Sequence, residues 1–163
     1  MKNRQNHNIE PVFDENSKIL ILGSFPSVKS RESEFFYGHP QNRFWRVVSR
    51  VCGENCPVTI PEKRDFLISN HIAVWDVIKS CDIEGSSDSS ISSVTANDIK
   101  FILRNADIKA IFVNGGTASR LYKKHCEIET GVPAVTLPST SPANARFSID
   151  MLVDKWRVIH DFL

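Results

Sequence analysis

Lys18-Ile19-Leu20-Ile21-Leu22-Gly23-Ser24 is a short, unbroken apolar run closed by two small residues. A strand with one wet face alternates apolar and polar residues. A continuous run must be buried on both faces, which is the signature of a parallel-sheet strand between layers of helix. The same pattern recurs at residues 72–78, 110–113 and 134–137. Between these runs the apolar period changes to that of a helix. Over residues 42–52, Phe44, Trp45, Val47, Val48, Val51 and Cys52 form one stripe, and Arg43, Arg46 and Arg50 the opposite face. Further helices are expected over residues 61–70, with a proline in the first turn, from an Asn97 cap to about 105, over 117–125, and over 149–163. Residues 1–17 read as a polar lead-in, 24–40 as a long loop, and the serine-rich stretch 85–93 as a mobile surface loop. Strands alternating with helices predict an α/β fold on a parallel sheet covered on both faces.

The chain has 163 residues, which predicts one domain spanning 1–163 with no need of disulfides or metal to fold. With 20 basic and 19 acidic residues a strongly basic coat is excluded, while a locally basic face is not. Residues 1–10 are polar and carry no secretory or anchoring pattern, and no apolar stretch is long enough for a bilayer. Cys52 and Cys56 have no second close pair to answer them, so a four-thiolate metal or cluster site is not expected. The four cysteines read as reduced cytoplasmic thiols, mostly in the core.

In open parallel sheets the ligand sits outside the carboxyl ends of the strands. That rule selects residues 23–42, 76–80, 114–117 and 138–144. Gly23-Ser24-Phe25-Pro26-Ser27 lets a ligand approach the backbone but lacks the Gly-x-Ser-x-Gly of a nucleophile elbow, and an ordinary turn is its plain alternative. Phe35, Phe36 and Tyr37 stand in an otherwise polar loop beside His39 and Asn42. They either plug the core or stack on a planar ligand such as a nucleobase. Asp76, directly after an apolar strand, either caps a helix or lines a pocket. The hydroxyls and N–H groups between Pro138 and Asn144 can hold phosphates, or form a bare turn.

Taken together, Tyr37-Gly38-His39-Pro40-Gln41-Asn42-Arg43-Phe44-Trp45 and Leu137-Pro138-Ser139-Thr140-Ser141-Pro142 resemble the uracil-DNA glycosylase superfamily, most closely its hypoxanthine-DNA glycosylase branch. The resemblance runs from about residue 18 to the C-terminus. It implies a three-layer α/β/α sandwich around a short, about four-stranded parallel sheet. It also implies cleavage of the N-glycosidic bond of a flipped-out deaminated base, hypoxanthine first and mismatched uracil or thymine as the alternative, without metal or cofactor. The chain departs from many relatives at Phe25, where they carry a water-activating Asp or Asn, and at Leu137, where they carry a histidine. In the hypoxanthine branch the catalytic amide falls on Asn42.

A base inside a duplex must be extruded before its glycosidic bond can be reached. The resemblance therefore implies a base pocket of Phe25, Phe36, Tyr37, His39 and Asp76. It implies DNA contacts from Ser24, Ser27, Arg43, Arg46, Ser139, Thr140, Ser141 and Asn144, with the last loop filling the gap. Asn42 can place a water with its carbonyl or donate its N–H₂ to the base, and a carboxylate at Asp76 can accept from hypoxanthine N1–H or uracil N3–H. The expected partner is double- or single-stranded DNA carrying a deaminated base, bound by a monomer in the cytoplasm. Two rival readings use the same residues: a non-enzymatic single-strand binding module, and a serine hydrolase pairing Ser24 or Ser139 with His39.

Overall fold

A computed structural model describes residues 2–163. In chain order the elements are β1 (Asn3–Asn6), β2 (Ile19–Gly23), α1 (Val28–Ser33), α2 (Phe44–Cys52), α3 (Ile60–Ser69), β3 (Ile72–Asp76), β4 (Ile78–Ile83), β5 (Ser92–Ala96), α4 (Ile99–Asn105), β6 (Ala110–Asn114), α5 (Gly116–His125), α6 (Glu127–Thr130), β7 (Ala134–Leu137) and α7 (Ile149–Trp156), the last continued by a 3₁₀ turn, Arg157–Phe162.

The four apolar runs pair in parallel in the order β3-β2-β6-β7. Every residue of β2 is buried, as its unbroken apolar run requires. Ile19 and Ile21 join a core with α2, α3 and α7 on one face, while Leu20 and Leu22 join a second core with α4 and α5 on the other. This is the expected three-layer α/β/α arrangement. The chain leaves β2 toward one face and β6 toward the other, so a crevice opens between their carboxyl ends. Gly23 stands beside Asp76, and Asn114 beside Leu137.

The structure corrects several local expectations. Residues 72–78 do not form one strand. After Asp76 the chain turns at Val77 and starts β4, which belongs to a second, antiparallel sheet of order β1-β4-β5. The polar lead-in therefore supplies an edge strand, and the serine-rich stretch holds a 3₁₀ turn, Asp88–Ser90, before entering β5. Short polar strands pair through backbone groups, so neither carries an apolar period. A six-residue helix, α1, interrupts the predicted loop, capped by the Ser27 hydroxyl accepting from Ser30 N. Asn97 does not cap α4. Its Nδ2 donates to Asp76 O at 2.9 Å and its N–H to Val77 O at 2.8 Å, pinning the corner between the two sheets. Of the cysteines, Cys81 and Cys126 are buried, Cys52 is half-buried and Cys56 is exposed.

Candidate active site

A cavity of about 300 Å³ opens at the carboxyl ends of β2, β3, β6 and β7. Of the residues predicted from sequence, Ser24, Phe25, Ser27, Phe36, Tyr37, His39, Asn42, Asp76, Ser139, Thr140 and Ser141 line it. Pro142, Ala143, Asn114, Ser86 and Asp88 line it as well. Arg43, Arg46 and Asn144 lie outside that lining.

One hydrogen-bond chain sets the polarity of the site. Thr140 N donates to Asn114 Oδ1 at 3.0 Å, and Asn114 Nδ2 donates to Thr140 Oγ1 at 3.0 Å. The hydroxyl therefore spends its own hydrogen on Asn42 Oδ1, 2.9 Å away. Phe44 N donates to the same Asn42 oxygen at 2.9 Å. Backbone N–H groups can only donate, so both ends of the chain fix the orientation of both amides. Two donors occupy the lone pairs of Asn42 Oδ1. Its Nδ2 makes no hydrogen bond among the described residues and remains available at the cavity. Thr140 itself is fully buried, beneath the surface rather than on it.

The floor of the cavity carries an unmet polar pair. Tyr37 Oη and Asp76 Oδ2 are buried with no hydrogen-bond partner among the described residues. Asn114 lies near the Tyr37 hydroxyl, but its amide is turned to Thr140. Burial, with Asp88 adding, pushes the Asp76 carboxyl from 3.8 up to about 7. Burial and the neighbouring Asp76 hold Tyr37 firmly protonated. A buried polar group without a partner costs about 1–3 kcal/mol, so such a pair is explained by a ligand that completes it. Gly23 makes the arrangement possible. A Cβ there would stand 2.6 Å from Asp76 Oδ1 and 3.1 Å from Tyr37 Oη.

Tyr37 adopts a left-handed backbone, φ 51°. That turn stacks one face of its ring on Phe44 at 3.9 Å and leaves the residue lining the cavity. Phe36 is almost fully buried, and Phe25 carries the Arg31 guanidinium 5.1 Å from its ring centre. His39 Nδ1 accepts from Gln41 N at 3.1 Å, which leaves Nε2 for the cavity.

The last loop is held from below. Arg43, which faces inward, donates to Ser141 O and Asn144 O, each at 3.0 Å, and to Phe147 O. Trp156 Nε1 donates to Pro138 O at 2.9 Å, and Ser139 Oγ accepts from Ser141 N at 3.1 Å. Gly115, at φ 96°, clears Ser139, whose Cβ would lie 3.0 Å from a side chain there. The exposed tip is Pro142 and Ala143. Leu137 is buried in the core and does not reach the cavity. On the arginine-bearing helix, Arg50 pairs with Asp150 at 2.9 Å, whereas Arg46 is exposed and makes no ion pair among the described residues.

Sequence reasoning missed Asp88 and the roles of Asn114 and Thr140 as clamps. Asn114 had one visible signal, its place at a strand end before two glycines. Asp88 had none, because a serine-rich stretch gives no hint of where it packs. Arg120, with Lys123 and Lys124 one turn further along α5, lines an open basic depression beside Thr136.

The family profile of the uracil DNA glycosylase superfamily matches residues 10–162. The chain belongs to the uracil DNA glycosylase superfamily. It is similar to the hypoxanthine DNA glycosylase of Methanosarcina acetivorans, 40% identical over 139 residues covering 84% of this chain and 87% of that protein. It is also similar to the hypoxanthine DNA glycosylase of Methanosarcina barkeri, 35% identical over 143 residues covering 83% and 86%. A solution NMR structure of a candidate uracil DNA glycosylase from Methanosarcina acetivorans superposes with a TM-score of 0.78 at 35% identity, covering 95% of this chain and 98% of that one. As a member of this superfamily the chain is a DNA glycosylase, an enzyme that cleaves the bond between a base and its sugar. No helix among the described residues is long and apolar enough to cross a membrane.

The buried carboxyl gives a pH test. Asp76 binds its proton more tightly in the folded chain, so its contribution to stability is present at low pH and lost as pH rises from about 4 through about 7. Asp76→Asn removes that desolvated charge. Thermal melts should show the variant several degrees above wild type at pH 8, with the gap closing below about pH 4. A gap of constant size across that range would contradict the assignment.

Proposed function

We propose that this glycosylase removes hypoxanthine from double-stranded DNA, acting as a single-domain monomer. The observation that supports it most is the Asn42 amide, locked by Thr140 and Phe44 N with its donor end free, in one cavity with the unpaired Asp76 and Tyr37. The two Methanosarcina relatives named hypoxanthine DNA glycosylases supply the substrate.

In this reading the tip of the last loop, Pro142 and Ala143, presses into the gap left by the extruded nucleotide. Extrusion costs a few kcal/mol. The base stacks on the free face of Tyr37, which offsets about 1–3 kcal/mol of that cost. Ionised Asp76 accepts from purine N1–H and so completes the orphaned oxygen. As the glycosidic bond breaks, negative charge grows on the leaving purine, and Asn42 Nδ2 donates to it. Asn42 does not place the water with its carbonyl, because that oxygen is already taken. Arg43 positions the loop through three carbonyls rather than holding a phosphate. Arg46 and the α5 depression are left to meet the backbone.

Single-turnover assays on duplexes bearing hypoxanthine, uracil, xanthine or thymine test the substrate. Hypoxanthine should be released fastest, and release of uracil but not hypoxanthine would overturn the reading. Asn42→Ala should lose roughly 10²–10³-fold in single-turnover rate while keeping most of its affinity for the duplex. Its carbonyl also accepts from Phe44 N at the start of α2, a hydrogen bond worth about 1 kcal/mol, so a modest fall in melting temperature is expected as well. A lower melting temperature with a nearly unchanged rate would leave Asn42 a structural role alone. Arg46→Ala should weaken binding to all sequences alike and lower the salt slope by about one unit. An unchanged slope would mean that Arg46 is only solvated.

A further inference from the structure

Hydrolysis needs an acceptor to hold the attacking water and take its proton, and the geometry already described removes the obvious one. Asn42 Oδ1 accepts two hydrogen bonds, and an amide does not ionise. Asp76 is fully buried on the floor, beside the base edge. His39 Nδ1 accepts from a backbone N–H, so Nε2 carries the ring hydrogen and offers the cavity a donor. One carboxylate of the cavity stands elsewhere. Asp88, in the 3₁₀ turn Asp88–Ser90, lines the cavity and is also exposed to solvent. Its Oδ1 accepts from Ser24 Oγ at 3.1 Å, and its second oxygen makes no hydrogen bond among the described residues.

The loop that carries Asp88 is built in place. Ser86 Oγ accepts from Val28 N at 2.9 Å, Arg31 donates to Gly85 O at 3.1 Å, and Ser90 Oγ accepts from Glu84 N at 2.8 Å. The first two bonds tie the serine-rich stretch to α1 and the third closes the stretch on itself, so the carboxylate is held at the cavity rather than waving in solvent.

We infer that Asp88 is the general base of the reaction, orienting the attacking water with its free carboxylate oxygen. The inference rests on the glycosylase reading above. In the step, the bond between C1′ and the purine nitrogen breaks and its electron pair leaves on the base. The water oxygen bonds to C1′, its proton passes to Asp88, and the purine anion takes a proton from solvent. Partial desolvation against the cavity wall raises the proton affinity of Asp88 above that of an ordinary carboxylate, opposed by the Ser24 hydrogen bond and by Arg120. Asp76 and the Cys81 thiol are the other titratable groups that feel its charge. A more basic carboxylate is a better proton acceptor near neutral pH.

Asp88→Asn keeps an oxygen for the Ser24 hydroxyl and removes the base. In single-turnover release of hypoxanthine from a deoxyinosine duplex, it should lose roughly 10²-fold or more. Its melting temperature and duplex affinity should stay near wild type, and Asp88→Glu should recover part of the rate. Ser90→Ala, which loosens the loop but keeps the carboxylate, should lose clearly less than Asp88→Asn. Asp88→Asn releasing base within about threefold of wild type would overturn the inference. So would an equal loss in Ser90→Ala, which would make loop order the cause. If the wild-type chain releases another base of the panel instead, the substrate reading fails, and the same variants decide the role of Asp88 on that base. Release of no base from any duplex would overturn both.

Discussion

A threonine hydroxyl has one hydrogen to give. In this chain the Thr140 hydroxyl receives from Asn114 and gives to Asn42, between two backbone N–H groups that cannot reverse their sense. The amide of Asn42 therefore has one orientation. Three segments far apart in sequence, the carboxyl end of β6, the last loop and the start of α2, must meet for this to happen. Arg43 adds to the same junction, its N–H donating to Thr140 O at 3.1 Å while its guanidinium holds the loop. The parallel sheet matters to function because it brings those strand ends to one crevice.

The site is built against stability. Asp76 and Tyr37 bury polar atoms that make no hydrogen bond among the described residues, and Tyr37 sits in a backbone conformation unusual for a bulky residue. Gly23 forgoes a side chain so that both can stand at the end of β2. The two cores on either face of the sheet offset these costs, with Phe44, Trp156 and Tyr122 almost wholly buried. Fully burying an aromatic or large aliphatic side chain is worth about 1.5–3 kcal/mol. Strain concentrated at a cavity and repaid in the core is what a pre-organised binding site requires.

The sequence made the four parallel strands legible because unbroken apolar runs have few other uses, and the strand-end rule then pointed to the cavity. The aromatic loop and the last loop were found the same way. Side-chain direction was not legible. Arg43, Arg46 and Arg50 look alike on a helical wheel, yet one faces inward, one is free and one is paired. Thr140 and Ser27 read as surface hydroxyls but serve as a buried clamp and a helix cap. The antiparallel sheet escaped notice because Asn3–Asn6 and Ser92–Ala96 pair through backbone alone. Asp88 escaped with it, since its position depends on that sheet.

The most direct measurement of the clamp is single-turnover hypoxanthine release by Thr140→Val beside Thr140→Ser. Valine keeps the shape and deletes the hydroxyl, which strands Asn114 Nδ2 and removes one of the two hydrogen bonds that hold the Asn42 amide. That stranding costs about 1–3 kcal/mol of stability. Serine keeps the hydroxyl. The valine variant is expected to bind duplex yet lose at least about tenfold in rate, a change of roughly 1.4 kcal/mol in the barrier, with serine close to wild type. Wild-type release by a folded Thr140→Val protein would contradict a site that depends on this hydrogen bond.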